Sequence, residues 1–394
     1  MKVIISEEGQ NVISFARLLK KKGVKIILAS PIAKDRMRKL FRSKAIDISV
    51  EICENSDPIQ RVRQIKEVYE KYNCDSYIPF GYRSVTDYME SVNRDDSLCM
   101  NSPYGRYESY WDLSDKDRLY SLLKNTDIPL PERFGVATEK KIPLIEKDKF
   151  PIIVKATRGK GIKGNIRFAQ NRKEIIEFLK TQGKGRDFLL QRYIPGDIFD
   201  VGGFAIEGTI FHHVPQKRSV TLPFRGGVAA VNDIYHNDRI LKMASKIIKK
   251  AKWSGPFQVE FRYDPSSEEF YLLEVNAKMW GSLQLTLRSN PDIVDVVLKY
   301  VMNEKAKINL SFKRNLRQRW IAQEMMAMRH GNFMDISNFF LRFFKKSGYD
   351  FDMRDPLPDM YRYYDTLRKI IFHPEDIPKP LIDKKTHKNI NQNL

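Results

Sequence analysis

Cysteine is nearly absent from this 394-residue chain: Cys53, Cys74 and Cys99 are its only three. They show no C-x-x-C spacing, which argues against a zinc ribbon or a disulfide framework and leaves buried core thiols as the default. The six histidines form no metal-ligand pattern either, and the adjacent His212 and His213, on an expected strand, face opposite sides. No apolar run approaches the roughly 20 residues of a membrane span. No Gly-Lys-Ser or Gly-Lys-Thr occurs, so a Walker A phosphate loop is excluded. The start, MKVIISEEGQ, moves straight into a strand with no leader pattern, and with free thiols this gives the expectation of a cytoplasmic protein. Acid is the scarcer charge, 49 Asp and Glu against 69 Lys and Arg, for a formal net charge of +20. Such a surplus attracts polyanions, which makes nucleic acid a rival partner. The basic residues are spread along the chain, however, and no nucleic-acid motif accompanies them.

What is present is a pair of apolar hairpins carrying polar residues at telling places. Gly255 to Ser282 reads GPFQVEFRYDPSSEEFYLLEVNAKMWGS. Residues i and i+2 of a strand share a face, so Glu274 and Asn276 point together, and hairpin pairing brings Glu260 to the same wall. Three hard oxygen ligands on one wall suit Mg2+ bridging nucleotide phosphates; the competing reading is merely a solvated face. Arg262, two residues beyond Glu260, is expected on that face as well. Upstream, Phe150 to Lys155 reads as a β-branched strand ending in lysine. Arg158, Gly159, Lys160, Gly161 and Gly164 follow, then the short apolar run Ile166 to Phe168. The glycines match G-x-G-x-x-G, but that fingerprint must open a helix, and here the chain returns to an extended segment. The loop behaves instead as a flap whose N–H groups and lysines face phosphate. Between the hairpins, Asp187 to Asp197 is a strand that stops at Pro195-Gly196. It exposes the backbone of Tyr193 and Ile194 to an adenine edge and sets Asp197 within reach of a ribose. Arg218 and Arg225, in a loop-like, glycine-ended stretch, are candidates to clamp a substrate carboxylate, with solvated arginines as the alternative.

Lys116 in DKDRLYSLLKNTDIPLPERFGV, Lys155 with its flap, QRYIPGD at 191–197, the Glu260 strand and EVN at 274–276 come in a telling order. That order resembles the ATP-grasp superfamily over about residues 1–300, in particular its carboxylate–amine ligase and carbamoyl-phosphate-synthetase-like branch. The resemblance implies an α/β (α+β) fold: an N-terminal Rossmann-like domain, a two-lobed ATP-grasp fold and a mostly helical C-terminal extension. It implies that Lys116, Lys155, Arg158, Gly159, Lys160 and Gly161 face the ATP phosphates. Gln191, Tyr193 and Ile194 would line the adenine pocket, with Asp197 near the ribose. Glu260, Glu274 and Asn276 would hold one or two Mg2+ ions, or Mn2+ in their place. The implied reaction is ADP-forming: a carboxylate is phosphorylated, and an amine attacks the acyl phosphate to give an amide or peptide-like bond without a side-chain nucleophile. Catalytic contacts then fall to Arg218, Arg225, Arg262 and Lys278. The family commonly reads E-x-N-P-R where this chain has Glu274-Val-Asn-Ala-Lys278, and lysine keeps the charge without arginine's bidentate fork. Gln191-Arg192 likewise replaces the usual Gln-Glu or Val-Glu. The implied partners are a small-molecule carboxylate and amine, and a homodimer is the commonest assembly. The rival readings are a nucleotide-binding scaffold without catalysis and a basic protein of nucleic-acid or membrane surfaces.

The chain divides into parts at about 1–105, 106–195, 196–305, 306–378 and 379–394. In the first, strands Val3–Ser6, Val24–Ser30 and Ser76–Phe80 alternate with helices Gln10–Lys22 and Asp57–Tyr72. This predicts a small parallel sheet whose strand ends, Gly81 to Ser84 among them, border the substrate site. The next two parts are the grasp's first lobe with its flap and the second lobe with the metal hairpin. Residues 306–378 are the helical extension, and 379–394 a polar tail expected to be disordered. Asp335 and Gly348 bracket an expected helix at 336–347, in which Phe339, Phe340, Phe343 and Phe344 form a stripe beside Arg342, Lys345 and Lys346. Packing on the protein's own body is the favoured reading of that stripe, and peripheral contact with an acidic membrane the alternative.

Overall fold

A computed structural model of the chain describes residues 1–6, 10–31, 42–53, 57–159, 166–222, 227–328, 337, 339–341 and 347–377. The first sheet is parallel and contains β1 (Lys2–Ser6), β2 (Lys25–Pro31), β3 (Ile48–Ile52) and β4 (Ser76–Pro79), in the order β3-β2-β1-β4. Alternation sends the side chains of β1 to two cores. Val3 and Ile5 join Val12, Phe15 and Leu19 of α1 (Gln10–Lys21), while Ile4 joins α2 (Pro58–Lys71) and α3 (Tyr82–Arg94) on the other face. Asp57 starts α2 by accepting from the Gln60 N–H, and Pro58 supplies its first turn. The expected alternation of strand and helix is present. β3 and α3 escaped it: ISVEI is a half-exposed edge strand without a clear apolar run, and α3 begins at Gly81 with no side-chain cap to announce it. Of the thiols only Cys74 is buried. Cys53 and Cys99 are exposed, contrary to the default: the first directly follows the edge strand β3 and the second a single helical turn at 96–98.

After α4 (Tyr107–Ser114) and α5 (Lys116–Leu123) comes an antiparallel sheet of β5 (Arg133–Ala137), β6 (Ile152–Ala156), β7 (Ile166–Ala169) and β8 (Phe188–Arg192), ordered β5-β8-β6-β7. α6 (Arg172–Gln182), capped by Asn171, packs Ile175 and Leu179 on it.

The third sheet has seven strands: β9 (Ile198–Ile206), β10 (Thr209–Leu222), β11 (Val228–Ile234), β12 (Gly255–Asp264), β13 (Glu269–Asn276), β14 (Arg317–Arg319) and β15 (Gly348–Tyr349). Their order is β13-β12-β9-β10-β11-β14-β15, antiparallel except for the last pair. α7 (Asp238–Lys250) buries Ile240, Ala244 and Ile247 against it, in one core with Val201 and Phe257. α8 (Leu283–Ser289) and α9 (Ile293–Val301) bury Leu283 and Val297 in the core that also holds Phe15 and Phe204, joining this sheet to the first. Gly202 of β9 permits the join, since a Cβ there would stand 2.4 Å from the Trp280 indole.

The C-terminal extension is mostly helical, with α10 (Ile321–Met328) and α11 (Leu357–Phe372), but it also supplies β14 and β15. Gly348 is therefore a strand residue and not a helix stop. In the aromatic segment Ser337 and residues 339–341 are helical; Phe339 is 7% exposed and Phe340 60%. Asp335, Phe343, Phe344 and the 379–394 tail lie outside the described residues. No helix among the described residues is long and apolar enough to cross a membrane.

His212 is fully buried, its Nε2 3.0 Å from the Asn290 carbonyl, and burial pushes it down to about 4. Burial, helped by His236, does the same to His213. An unfolded chain binds those protons at about pH 6.5, so the contribution of these two histidines is constant above that pH and is lost as pH drops towards 4. His212 alone accounts for a loss on the order of 3 kcal/mol. Denaturant titrations from pH 7 to 4 check this: His212→Gln should show a distinctly shallower acid loss than the unaltered chain.

Candidate active site

Residues of the second and third sheets, with α1 and the segment that follows β4, line one cavity of about 550 Å3. The β12–β13 hairpin forms its acidic wall. Asp264 closes the turn by accepting from the N–H and hydroxyl of Ser266 at 3.0 and 2.6 Å, which sets the register: Glu260 faces Glu274, and Gln258 faces Asn276. On the other side Glu260 pairs with Asp200 of β9. Three carboxylates therefore lie in a row across three neighbouring strands.

Cations from three other segments meet them. Lys116, the first residue of α5, places Nζ 3.2 Å from Glu274 Oε2. Arg218 of β10 donates through Nε and Nη2 to Asp200 at 2.8 and 2.7 Å, and its Nη2 also lies 2.8 Å from Glu260 Oε1. Lys155 of β6 donates to the Leu273 carbonyl at 2.9 Å. Burial, then the charge of Lys116, pushes Lys155 down to about 8 against the opposing pull of Glu274 and Glu260. Burial also lifts Glu260 above the usual carboxylate range although Arg218 is close. Burial acts on Glu274 in the same sense, but Lys116 and Lys155 together outweigh it and hold that carboxyl low.

Most of the residues singled out in the sequence reach the cavity: Lys155, Gly159, Gln191, Tyr193, Ile194, Arg218, Glu260, Arg262, Glu274, Asn276 and Lys278. Gly81 and Tyr82, at the end of β4, line it too. Several sit differently from expectation. Arg218 is within a long strand, its side chain 9% exposed and ion-paired, and not in a loop. Arg262 turns towards β8, where Nη1 donates to the Ile194 carbonyl at 3.0 Å and the guanidinium lies over the Tyr193 ring; the β12–β13 register shifts just after Glu260. Lys116 stands behind Glu274 and does not line the cavity. Arg158 stacks 4.2 Å from the Trp111 ring and pairs with Asp115 at 2.7 Å, and Asp197 pairs with Lys217 at 2.6 Å. Neither of these two lines the cavity. Lys160, Gly161 and Arg225 lie outside the described residues.

Sequence reasoning missed Asp200, whose pairing partners are all distant in sequence. It also missed Trp320 and Gln323, which the C-terminal extension brings to the cavity. Among the described residues no three His, Cys, Asp or Glu side chains form a preformed metal cluster. Glu260 and Glu274 are nevertheless paired hard oxygen donors of the kind Mg2+ takes. Asn276 offers its Nδ2 to Glu260 Oε1 at 2.8 Å; a half-turn of that amide presents oxygen instead. The donor set fits a hard divalent cation.

The lowered Lys155 should react as a neutral amine at unusually low pH. Trinitrobenzenesulfonate labelling followed by peptide mapping is expected to show a half-maximal rate near pH 8 at Lys155, against about 10.4 for surface lysines. A profile at Lys155 indistinguishable from those of surface lysines contradicts the described environment.

Comparison with known proteins places these features in context. The family model described as "ATP-grasp in the biosynthetic pathway with Ter operon" matches residues 184–324. A 208-residue stretch is 24% identical to the carbamoyl phosphate synthase large chain of Pyrococcus furiosus, covering 49% of this chain and 19% of that one. The chain spans less than half the length of the curated relatives it matches. Among solved structures, it is similar to the biotin carboxylase of Campylobacter jejuni, with a TM-score of 0.65, 19% identity, and coverage of 80% of this chain and 74% of that one. It is similar also to the L-amino acid ligase of Bacillus licheniformis, with a TM-score of 0.62, 16% identity and coverage of 78% and 77%. The fold is shared with both, and residues 184–324 carry the match to the ATP-grasp family.

Proposed function

We propose that this protein is an ADP-forming, ATP- and Mg2+-dependent ligase that activates a small-molecule carboxylate as an acyl phosphate for attack by an amine. The observation that carries the reading is the convergence on one cavity of Lys155 from one lobe and the Glu260–Glu274 pair from the other.

In this reading the adenine lies against Tyr193 and Ile194. A carbonyl oxygen has two lone pairs, so Ile194 can serve Arg262 and the adenine amino group together. Lys155 faces the phosphates at the root of the glycine loop, and Lys116 supports Glu274 from behind. Glu260, Glu274 and the turned amide of Asn276 would hold one or two divalent ions. Mg2+ bound there would screen the phosphate oxygens and steady the group in transfer. A substrate carboxylate oxygen attacks the γ-phosphorus and ADP leaves. The amine nitrogen then attacks the acyl carbon, the C–O bond to phosphate breaks with its electron pair, and the nitrogen loses a proton. Lys278 and Arg218 lie along the same cavity to meet the negative charge that develops on the acyl group. Work in the cytoplasm and the division into lobes near residues 105, 195 and 305 belong to the same proposal.

ADP release from ATP and Mg2+ with pooled acids and amines, amino acids included, tests this function. ADP should appear only with particular acid–amine pairs. Glu274→Gln and Lys155→Ala should each lower its release by roughly 100-fold or more while the circular dichroism spectrum is unchanged. Normal turnover in either variant would sink the site assignment.

A further inference from the structure

Asp200 is 1% exposed, and the catalytic reading gives it no role. Its two oxygens take Nε and Nη2 of Arg218 at 2.8 and 2.7 Å. Arg218 spends Nη1 on the Gly227 carbonyl at 2.8 Å and extends Nη2 to Glu260 Oε1, also at 2.8 Å. That same Glu260 oxygen accepts from Asn276. Both donors thus converge on one oxygen of Glu260. A guanidinium beside a carboxylate prefers to engage both oxygens through its fork. Here Asp200 holds that fork.

We propose that Asp200 is a positioning residue: its two-point grip on Arg218 restricts the guanidinium to one oxygen of Glu260 and keeps the other open to a divalent cation. This rests on the reading of Glu260 and Glu274 as the cation-holding pair. Without Asp200, the largely enclosed Arg218 has Glu260 as its nearest carboxylate, and its fork closes on both oxygens.

The test follows free Mn2+ by electron paramagnetic resonance during titration into the full chain with ADP, and measures ADP affinity separately without metal. Asp200→Asn is expected to weaken Mn2+ binding about tenfold or more, with metal-free ADP affinity unchanged. The double variant Asp200→Asn, Arg218→Gln removes the whole ion pair and should return Mn2+ affinity to within a few-fold of the unaltered chain. Unchanged Mn2+ binding in Asp200→Asn overturns the proposal. So does a parallel loss of ADP binding, a double variant that fails to recover, or failure of both variants to fold, which assigns Asp200 to the fold alone. If the unaltered chain with ADP takes up no Mn2+, the reading of the carboxylate pair itself fails, and the proposal falls with it.

Discussion

Three carboxylates side by side in a water-poor place repel one another and lose their hydration, and the rest of this molecule is arranged around that problem. Asp200, Glu260 and Glu274 lie across β9, β12 and β13. A buried charge without a partner is strongly destabilising. The partners come from α5, β6 and β10, so one electrostatic requirement fixes how three distant segments approach the hairpin. Asp115 contributes twice to this arrangement. It caps α5 by accepting from the N–H groups of Asp117 and Arg118, which sets Lys116 at the head of the helix, and it also holds Arg158 at the root of the glycine loop. The Lys116 N–H donates to the Thr157 carbonyl at 2.9 Å, binding the helix and the loop together.

Packing completes what charge begins. Trp280 lies on the bare backbone of Gly202, and with Leu283 and Val297 it enters the core that α1 forms on the first sheet. This core places the end of β4 beside the β12–β13 hairpin, so that Tyr82 and Glu260 border one cavity. On the far side β14 pairs with β11, the Trp320 N–H donates to the Ala230 carbonyl, and the fully buried Arg319–Glu324 pair locks the start of α10. The extension is thus part of the cavity wall.

Local pattern made much of the architecture legible. Alternation in FYLLEVN set Glu274 and Asn276 on one face, and the polar turn before it implied the hairpin that brings up Glu260. A glycine loop between two short apolar runs excluded a dinucleotide fingerprint, and β6 and β7 do pair antiparallel across it. β3 was not legible, since an edge strand with one wet face carries too little apolar signal. β14 and β15 are three and two residues long, too short for any period to appear.

The sites divide along the same line. Residue types and their order along the chain were enough to select the hairpin acids, Lys155 and the Gln191–Ile194 segment, because spacing within a strand decides which side chains share a face. The destinations of Arg218, Arg262 and Asp197 were decided only in three dimensions. A long, charged side chain goes to whichever opposite charge or carbonyl the neighbouring strands offer: Asp200 for Arg218, the Ile194 carbonyl for Arg262, Lys217 for Asp197. The sequence by itself determined which strands bring polar residues to one cavity. Tertiary structure alone decided which charges face one another, because a buried ion must find its partner across strands far apart in the chain.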